Sequence, residues 1–277
     1  MTDRSRVKTV TQVKSKQTCK NKRQALSQIK RIDWKSLDFR TPNQKNFYRT
    51  IGRNDVTFCV GPAGCGKTYL ATHYALKNIA QGKYENMIIT KPLVEVDGEK
   101  LGFLPGDIDE KTAPYMMSLY YNMEQIIGKE RLEVLKETGV VKVIPLAYMR
   151  GLTITDSIVV LDEAQNATTS QIKTFLTRIG QGSKFIINGD LMQSDIRATN
   201  GLDDSVKRFT GLSRVGFSQF DLEDVVRHPI VGELLARYQD DYELGALSAE
   251  ETLSMWLEKQ EYDEPKATSK FFYKIRN

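Results

Sequence analysis

The chain has 277 residues, 40% of them hydrophobic and 27% charged, the profile of a soluble globular protein with a sizeable core. No apolar run approaches the roughly 20 residues of a membrane span, and the basic start lacks the apolar run of a secretory signal, so neither a membrane-spanning nor a secreted protein is expected. The net charge of +5 is uneven, with 12 Lys/Arg against 3 Asp/Glu in residues 1–40, and the three cysteines (Cys19, Cys59, Cys65) fit no metal spacing and read as free thiols of a reducing cytoplasm.

Residues 1–40 form a basic arm with a short helix near "QALSQIKRI". "TPNQKNFYRTI" starts a helix, with Thr41 as cap and Pro42 at the first helical position. "VTFCV" (56–60) is a buried-type strand, and the helix "KTYLATHYALKNIAQG" after it stops at Gly82. Further strands are predicted over 86–91, 140–146, 157–163, 184–189 and 215–222, with a helix over 169–180. The long segment between the second and third strands is a Gly/Pro-rich loop followed by helix, an insertion on the ligand side of the sheet. Short apolar strands alternating with helices predict an α/β fold, a parallel sheet covered on both faces. An acidic helix over 248–262 carries Leu253, Trp256 and Leu257 at helical spacing, ahead of a basic tail with "FFY". The two basic ends suit either a polyanionic partner or a solvated, solubilising role.

"GPAGCGKTYLA" begins where the first strand ends. Gly61, Gly66, Lys67 and Thr68 occupy the fixed places of GxxxxGK[ST], a match expected by chance in about one chain in a hundred of this length. Glycines let the backbone amides turn inward onto phosphate, and the next helix adds its positive end. The contact set is therefore Gly61, Pro62, Ala63, Gly64, Cys65, Gly66, Lys67, Thr68 and Tyr69, with Lys67 on the β/γ-phosphates and Thr68 on Mg²⁺. "SIVVLDEAQ" ends a strand in Asp162 and Glu163, 95 residues after Lys67. Asp162 suits Mg²⁺ and Glu163 suits an attacking water, a pairing that points to hydrolysis rather than small-molecule kinase chemistry. "KFIINGDLMQ" brings Asp190 and Gln193 to a neighbouring strand end, where the Gln193 amide can sense the γ-phosphate. Gln44 offers a donor and an acceptor to an adenine edge. Arg227 and Arg150 are both candidates for the cation that completes the γ-phosphate site, and His73 and His228 read as packed structural rings.

Together, "GPAGCGKTYLA", "KPLVEVDGEKLGFLPGDIDEKTAPY", "YMRG", "VVLDEAQN", "INGDLMQSD" and "DVVRHPIV" resemble the PhoH family of P-loop ATPases over residues 41–238. The resemblance implies a single RecA-like core similar to the ATPase half of superfamily 1 helicases. It implies Gln44 on adenine, Lys67 and Thr68 in Walker A, and Asp162 and Glu163 in Walker B. It also implies Gln193 as sensor and Arg227 as arginine finger. ATP with Mg²⁺, RNA-related activity and ring-shaped oligomers follow as expectations, in a compact version that suits a bacteriophage. With few acids before residue 41, nuclease activity is not expected, and no second RecA-like domain is expected after residue 240.

The expected organisation is a flexible arm (1–40), an ATPase domain (41–240), and a C-terminal helix with basic tail (241–277). The leading functional expectation is a cytoplasmic ATPase stimulated by RNA or another single strand, with helicase-type activity only as an oligomer. Lys91, Lys100, Lys111 and Arg150 would face the strand. A hexameric ring with Arg227 or Arg150 acting on a neighbour's nucleotide is expected, ahead of an arginine acting within its own chain. The rival class is a nucleotide-dependent assembly or regulatory switch that binds a protein partner.

Overall fold

The computed structural model describes residues 21–32, 34, 37–93, 108–191, 200–226 and 230. The chain divides into two compact units, Met1–His228 and Pro229–Asn277, and everything below concerns the first. The expected helix over 248–262 and the basic tail lie outside the described residues, as do residues 1–20 of the arm and the Gly/Pro-rich half of the insertion, 94–107.

Six strands form one sheet: β1 (Val56–Val60), β2 (Asn86–Thr90), β3 (Val141–Val143), β4 (Ser157–Leu161), β5 (Lys184–Gly189) and β6 (Val215–Gln219). Every pairing is parallel, and the spatial order is β3-β2-β4-β5-β1-β6. The central strands are apolar throughout, yet their side chains still sort by period 2. Cys59, Met87, Ile89, Ile158, Val160 and Ile186 enter one core. Phe58, Ile88, Val159, Leu161, Phe185 and Ile187 enter the other.

The first core lies under α1 (residues 21–30), α2 (Pro42–Arg53), α3 (Lys67–Ala80), α4 (Ile108–Ile127) and α5 (Lys129–Glu137). The second lies under α6 (Thr169–Leu176) and α7 (Gly201–Phe209). Helix α2 starts as its sequence predicts: the Thr41 hydroxyl accepts from the Gln44 amide and Pro42 opens the helix. Its far end is closed by a buried lysine. Lys184 donates its Nζ to the Ile51 carbonyl at 2.6 Å and to the Asn54 carbonyl. A cation there also meets the negative end of the helix dipole. Helix α6 carries a full capping box between Thr168 and Gln171, and Asn200 caps α7.

Four predicted strands are shorter than expected, those read over 86–91 and 215–222 ending at Thr90 and Gln219. The strand read over 140–146 shrinks to Val141–Val143; Ile144 N–H still donates to Ile89 O at 3.0 Å and Leu146 N–H to Lys91 O at 3.3 Å, but the chain then enters a 3-10 turn over Leu146–Met149. The strand read over 157–163 ends at Leu161. Asp162 N–H still reaches Thr90 O at 2.8 Å, but Glu163 then turns to φ 52° and leaves the sheet. Helix α7 had no counterpart in the sequence reading.

His73 sits in an aromatic cluster on α3, consistent with the structural role expected of it. Trp34 meets its ring edge-on at 5.4 Å between centroids, and Tyr48 Oη lies 3.0 Å from its Nδ1. Burial holds the Tyr48 hydroxyl protonated, so it donates and Nδ1 accepts. Burial also pushes the His73 imidazole down to about 4, with the nearby Lys77 charge adding to the effect. The unfolded chain takes up this proton near the ordinary value of about 6.5, so falling pH through that window favours unfolding through this group. Wild type should therefore lose more stability than His73→Leu between pH 7 and pH 5 in urea melts. Equal losses in both proteins would show that His73 is not protonated on unfolding.

Candidate functional site

The carboxyl ends of β1, β4 and β5 lie side by side, and each carries one part of a polar cleft. The loop after β1 is wedged against the ends of β5 and β6. Gly61 N–H donates to Gly189 O at 3.1 Å, and Phe220 N–H donates to Val60 O at 2.8 Å. Gly61 adopts φ 151°, and a Cβ there would lie 2.7 Å from the Phe220 carbonyl oxygen. No other residue fits that position. Gly64 and Gly66 are also left-handed, at φ 90° and 89°. Gly66 is the N-cap of α3 and offers no side chain to the helix amides. Those donors and the positive end of the helix face the cleft.

Two contacts brace the loop from outside and one from within. Gln44 donates its Nε2 to the Cys65 carbonyl at 3.0 Å while its Oε1 accepts from Arg40 N–H at 2.9 Å. Val226 N–H donates to Gly64 O at 3.2 Å. The Cys65 thiol donates to Pro62 O at 3.0 Å, and burial raises its pKa, so it stays a neutral packing group. Lys67 is held within the loop, with Nζ 2.6 Å from Gly61 O and 2.8 Å from Pro62 O.

Opposite the loop, the Thr68 hydroxyl donates to Asp162 Oδ1 at 2.7 Å. This bond joins residues 94 positions apart in sequence. Asp162 is buried, and its pKa is pushed up to about 6, first by burial and then by the charge of Glu163. The Thr68 bond and the charges of Lys67 and Lys91 pull the other way. Glu163 is exposed and holds the left-handed backbone of a strained position. Gln165, 3% exposed, donates its Nε2 to Glu163 Oε2 at 2.7 Å, and its Oε1 accepts from Asp190 N–H at 2.9 Å.

These groups line a cleft of about 290 Å³, together with Asn122 of α4. A second cavity of about 530 Å³ shares Gly66 and Tyr69 with it and is bordered by Trp34, Arg40, Gln44 and His73. Phosphates suit the first space by charge, and a base with its sugar suits the second by size and aromatic lining. The donor set also fits a magnesium ion. It is a hydroxyl and a carboxylate, both hard oxygen ligands, and the described residues hold no cluster of three or more His, Cys, Asp or Glu. Magnesium takes few protein ligands and completes its shell with water and phosphate oxygens.

Of the predicted site residues, Gln44, the loop from Gly61 to Tyr69, Asp162 and Glu163 converge here. Arg150 does not line either cavity. It is exposed, just after a 3-10 turn (Leu146–Met149) that follows β3 at the sheet edge, and three strands separate β3 from β1. Gln193 and Arg227 lie outside the described residues, as do His228, Lys100 and the side chain of Lys111. Asn122, Gln125 and Ile126 were not anticipated. They reach the two cavities from α4 because that helix of the insertion packs back on α3, and no local pattern marks them. Gln165 did carry a signal, since it stands two residues after Glu163 in "LDEAQ".

The chain matches the family model described as PhoH-like protein over residues 36–239. A PhoH-like protein of Bacillus subtilis (strain 168) is 44% identical over 206 residues, which is 74% of this chain and 64% of that protein. A PhoH-like protein of Synechocystis sp. is 42% identical over 72% of this chain and 61% of its own length. Protein PhoH of Escherichia coli (strain K12) is 38% identical, covering 72% and 57%. The match thus spans about three-fifths of the length of these relatives. Among solved structures, the large terminase of a thermophilic bacteriophage aligns at TM-score 0.45 and 12% identity, covering 75% of this chain and 51% of that one. The Pif1 helicase of Candida albicans aligns at TM-score 0.35 and 12% identity, covering 67% and 41%. With the loop, the paired acids and the parallel sheet in place, and sequence identity running through most of the chain, this protein belongs to the PhoH-like protein family.

Proposed function

We propose that this protein hydrolyses ATP with magnesium and that single-stranded nucleic acid, RNA in the first instance, stimulates the reaction. One observation carries the hydrolytic reading: the Thr68–Asp162 hydrogen bond of 2.7 Å, with Lys67 and Glu163 on the same cleft. Magnesium, when bound, would neutralise charge on the β- and γ-phosphates. Thr68 and Asp162 are the residues that would hold it. Lys67 leaves its carbonyl partners to bind phosphate oxygens, and the N-terminal amides of α3 orient the same group. Glu163 accepts the proton of the attacking water from its exposed position at the rim. Gln44 spends one N–H and one lone pair on the protein and keeps one of each, the pair that adenine's exocyclic amine and ring nitrogen require.

The strand reading rests on charge. The arm (1–40) carries nine net positive charges, and the tail after residue 263 is basic and aromatic. We assign residues 41–240 to the ATPase domain, with the arm and the tail (241–277) as phosphate contacts, in a cytoplasmic protein. A homo-oligomer, a hexameric ring, belongs to the same proposal. It is supported by Met117 and Tyr121, one turn apart on α4 and 63% and 62% exposed, where a second copy would cover them. The same patch favours the second reading, an assembly switch with a protein partner. Turnover measured with and without RNA and single-stranded DNA separates the two. The strand reading expects stimulation that weakens as salt rises, and salt-independent rates unaffected by either polymer would leave the switch.

The role of Arg227 belongs to the same proposal. Val226, the residue before Arg227, is tethered to the P-loop of its own chain through Gly64. We therefore place Arg227 in service of its own nucleotide rather than a neighbour's. Mixing Lys67→Ala with Arg227→Ala, each inactive alone, should restore no ATPase activity while a labelled chain confirms subunit exchange. Recovery in mixed oligomers would assign Arg227 to the neighbour.

The site residues make two distinct losses. Lys67→Ala should abolish tight ATP binding, since no other described cation sits inside the loop. Glu163→Gln should bind ATP normally and hold it, with turnover reduced by about a hundredfold or more. Equilibrium binding and single-turnover hydrolysis read both. Wild-type affinity in the first variant or wild-type turnover in the second would refute the assignment concerned.

A further inference from the structure

We infer that Gln165 is the positioning residue for Glu163, locking the base to the end of β5; the inference rests on the hydrolytic reading above. Its geometry has no ambiguity of orientation. Asp190 N–H can only donate, so the amide oxygen of Gln165 must face it at 2.9 Å. The amide nitrogen is then turned onto Glu163 Oε2, at 2.7 Å. One oxygen of Glu163 is engaged, and the other is left for the water.

Glu163 needs such a hold. It is exposed, on a left-handed backbone, and belongs to neither the strand before it nor the 3-10 turn after it. A long carboxylate in that setting samples several rotamers unless something fixes it. Gln165 can do so because it is itself immobile. It is 3% exposed and packed against the end of β5. The fit is tight enough to dictate a glycine: a Cβ on Gly189 would stand 2.8 Å from Gln165 Oε1 and 2.4 Å from Leu202 Cδ2. A side chain at Gly189 would thus meet Leu202 and Gln165 together.

The strand end that holds Gln165 is also the start of "GDLMQ", the segment carrying Gln193. A change at Asp190 therefore reaches Glu163 through a single side chain. Gln165 touches neither substrate nor metal in this scheme and acts only through Glu163. That sets it apart from a residue that merely stabilises the core.

The test uses the full chain and two substitutions. Gln165→Met removes the hydrogen bonds to Glu163 and Asp190 at similar volume. Gln165→Glu keeps the acceptor for Asp190 N–H and replaces the donor toward Glu163 with a repelling carboxylate. Single-turnover ATP hydrolysis should slow by about tenfold to a hundredfold in each. Affinity for a non-hydrolysable ATP analogue should stay within about twofold. In the Glu163→Gln background the same substitutions should cost almost nothing further, because no base remains to be positioned. Wild-type turnover in Gln165→Glu overturns the inference. So does an equal loss in both backgrounds, or a loss of analogue affinity that parallels the loss of rate. If Gln165→Met melts, Gln165→Glu carries the test with the Asp190 contact intact. A wild-type protein that hydrolyses no ATP would instead sink the underlying reading, which keeps the two failures apart.

Discussion

The candidate site depends on β5 being paired in parallel with both β1 and β4. Val60 stands opposite Gly189, and Leu161 opposite Ile187. These registers bring the P-loop, the Asp162–Glu163 pair and Asp190 to one end of the sheet. A slip of one residue would exchange the faces of every strand side chain, moving Ile186 out of one core and Phe185 out of the other. Two-sided burial thus sets the register, and the register sets the distance between lysine and acids.

At the mouth of that arrangement, packing and electrostatics pull against each other. Glycines at 61 and 189 are dictated by neighbours that come too close for a Cβ: the Phe220 backbone in one case, Gln165 and Leu202 in the other. The same compactness strips water from Asp162 and raises its pKa, beside a second carboxylate that raises it further. A hydroxyl from Thr68 and the charges of Lys67 and Lys91 compensate only in part. Such an acid is ready for a divalent cation, which would supply the missing positive charge. Folding stability is sacrificed at this spot, and the apolar cores on both faces of the sheet carry it instead.

The loop is also held from positions remote in sequence. Gln44 comes from α2, Val226 from the segment after β6, and Asn122 from the insertion. Asp224 anchors this second segment by accepting from Asn43 Nδ2 at 2.8 Å, which ties the region before the P-loop to the region after the last strand. The two ends of the described core therefore meet at the nucleotide loop. A change in the loop would be felt by Arg40 through Gln44, and by Val226 through Gly64.

Much of this was legible in the sequence because it is local chemistry. GxxxxGKT carries its own geometry, since glycine enters left-handed turns without strain and a helix start follows; Thr41 and Pro42 announce α2 in the same way. An apolar run ending in Asp162-Glu163 identifies a buried strand with acids at its mouth. Strand limits were less legible where the following turn decides them, as at β3, where the chain passes into the 3-10 turn Leu146–Met149. What only the tertiary structure decided is which strand ends become neighbours. The order β3-β2-β4-β5-β1-β6 put Arg150 at the far edge and Gln165 between Glu163 and Asp190, while α4 packing on α3 brought Asn122 to the cleft. Sequence spacing cannot encode that outcome. It follows from burying two apolar faces of one sheet at once, a condition met only when the whole chain has packed.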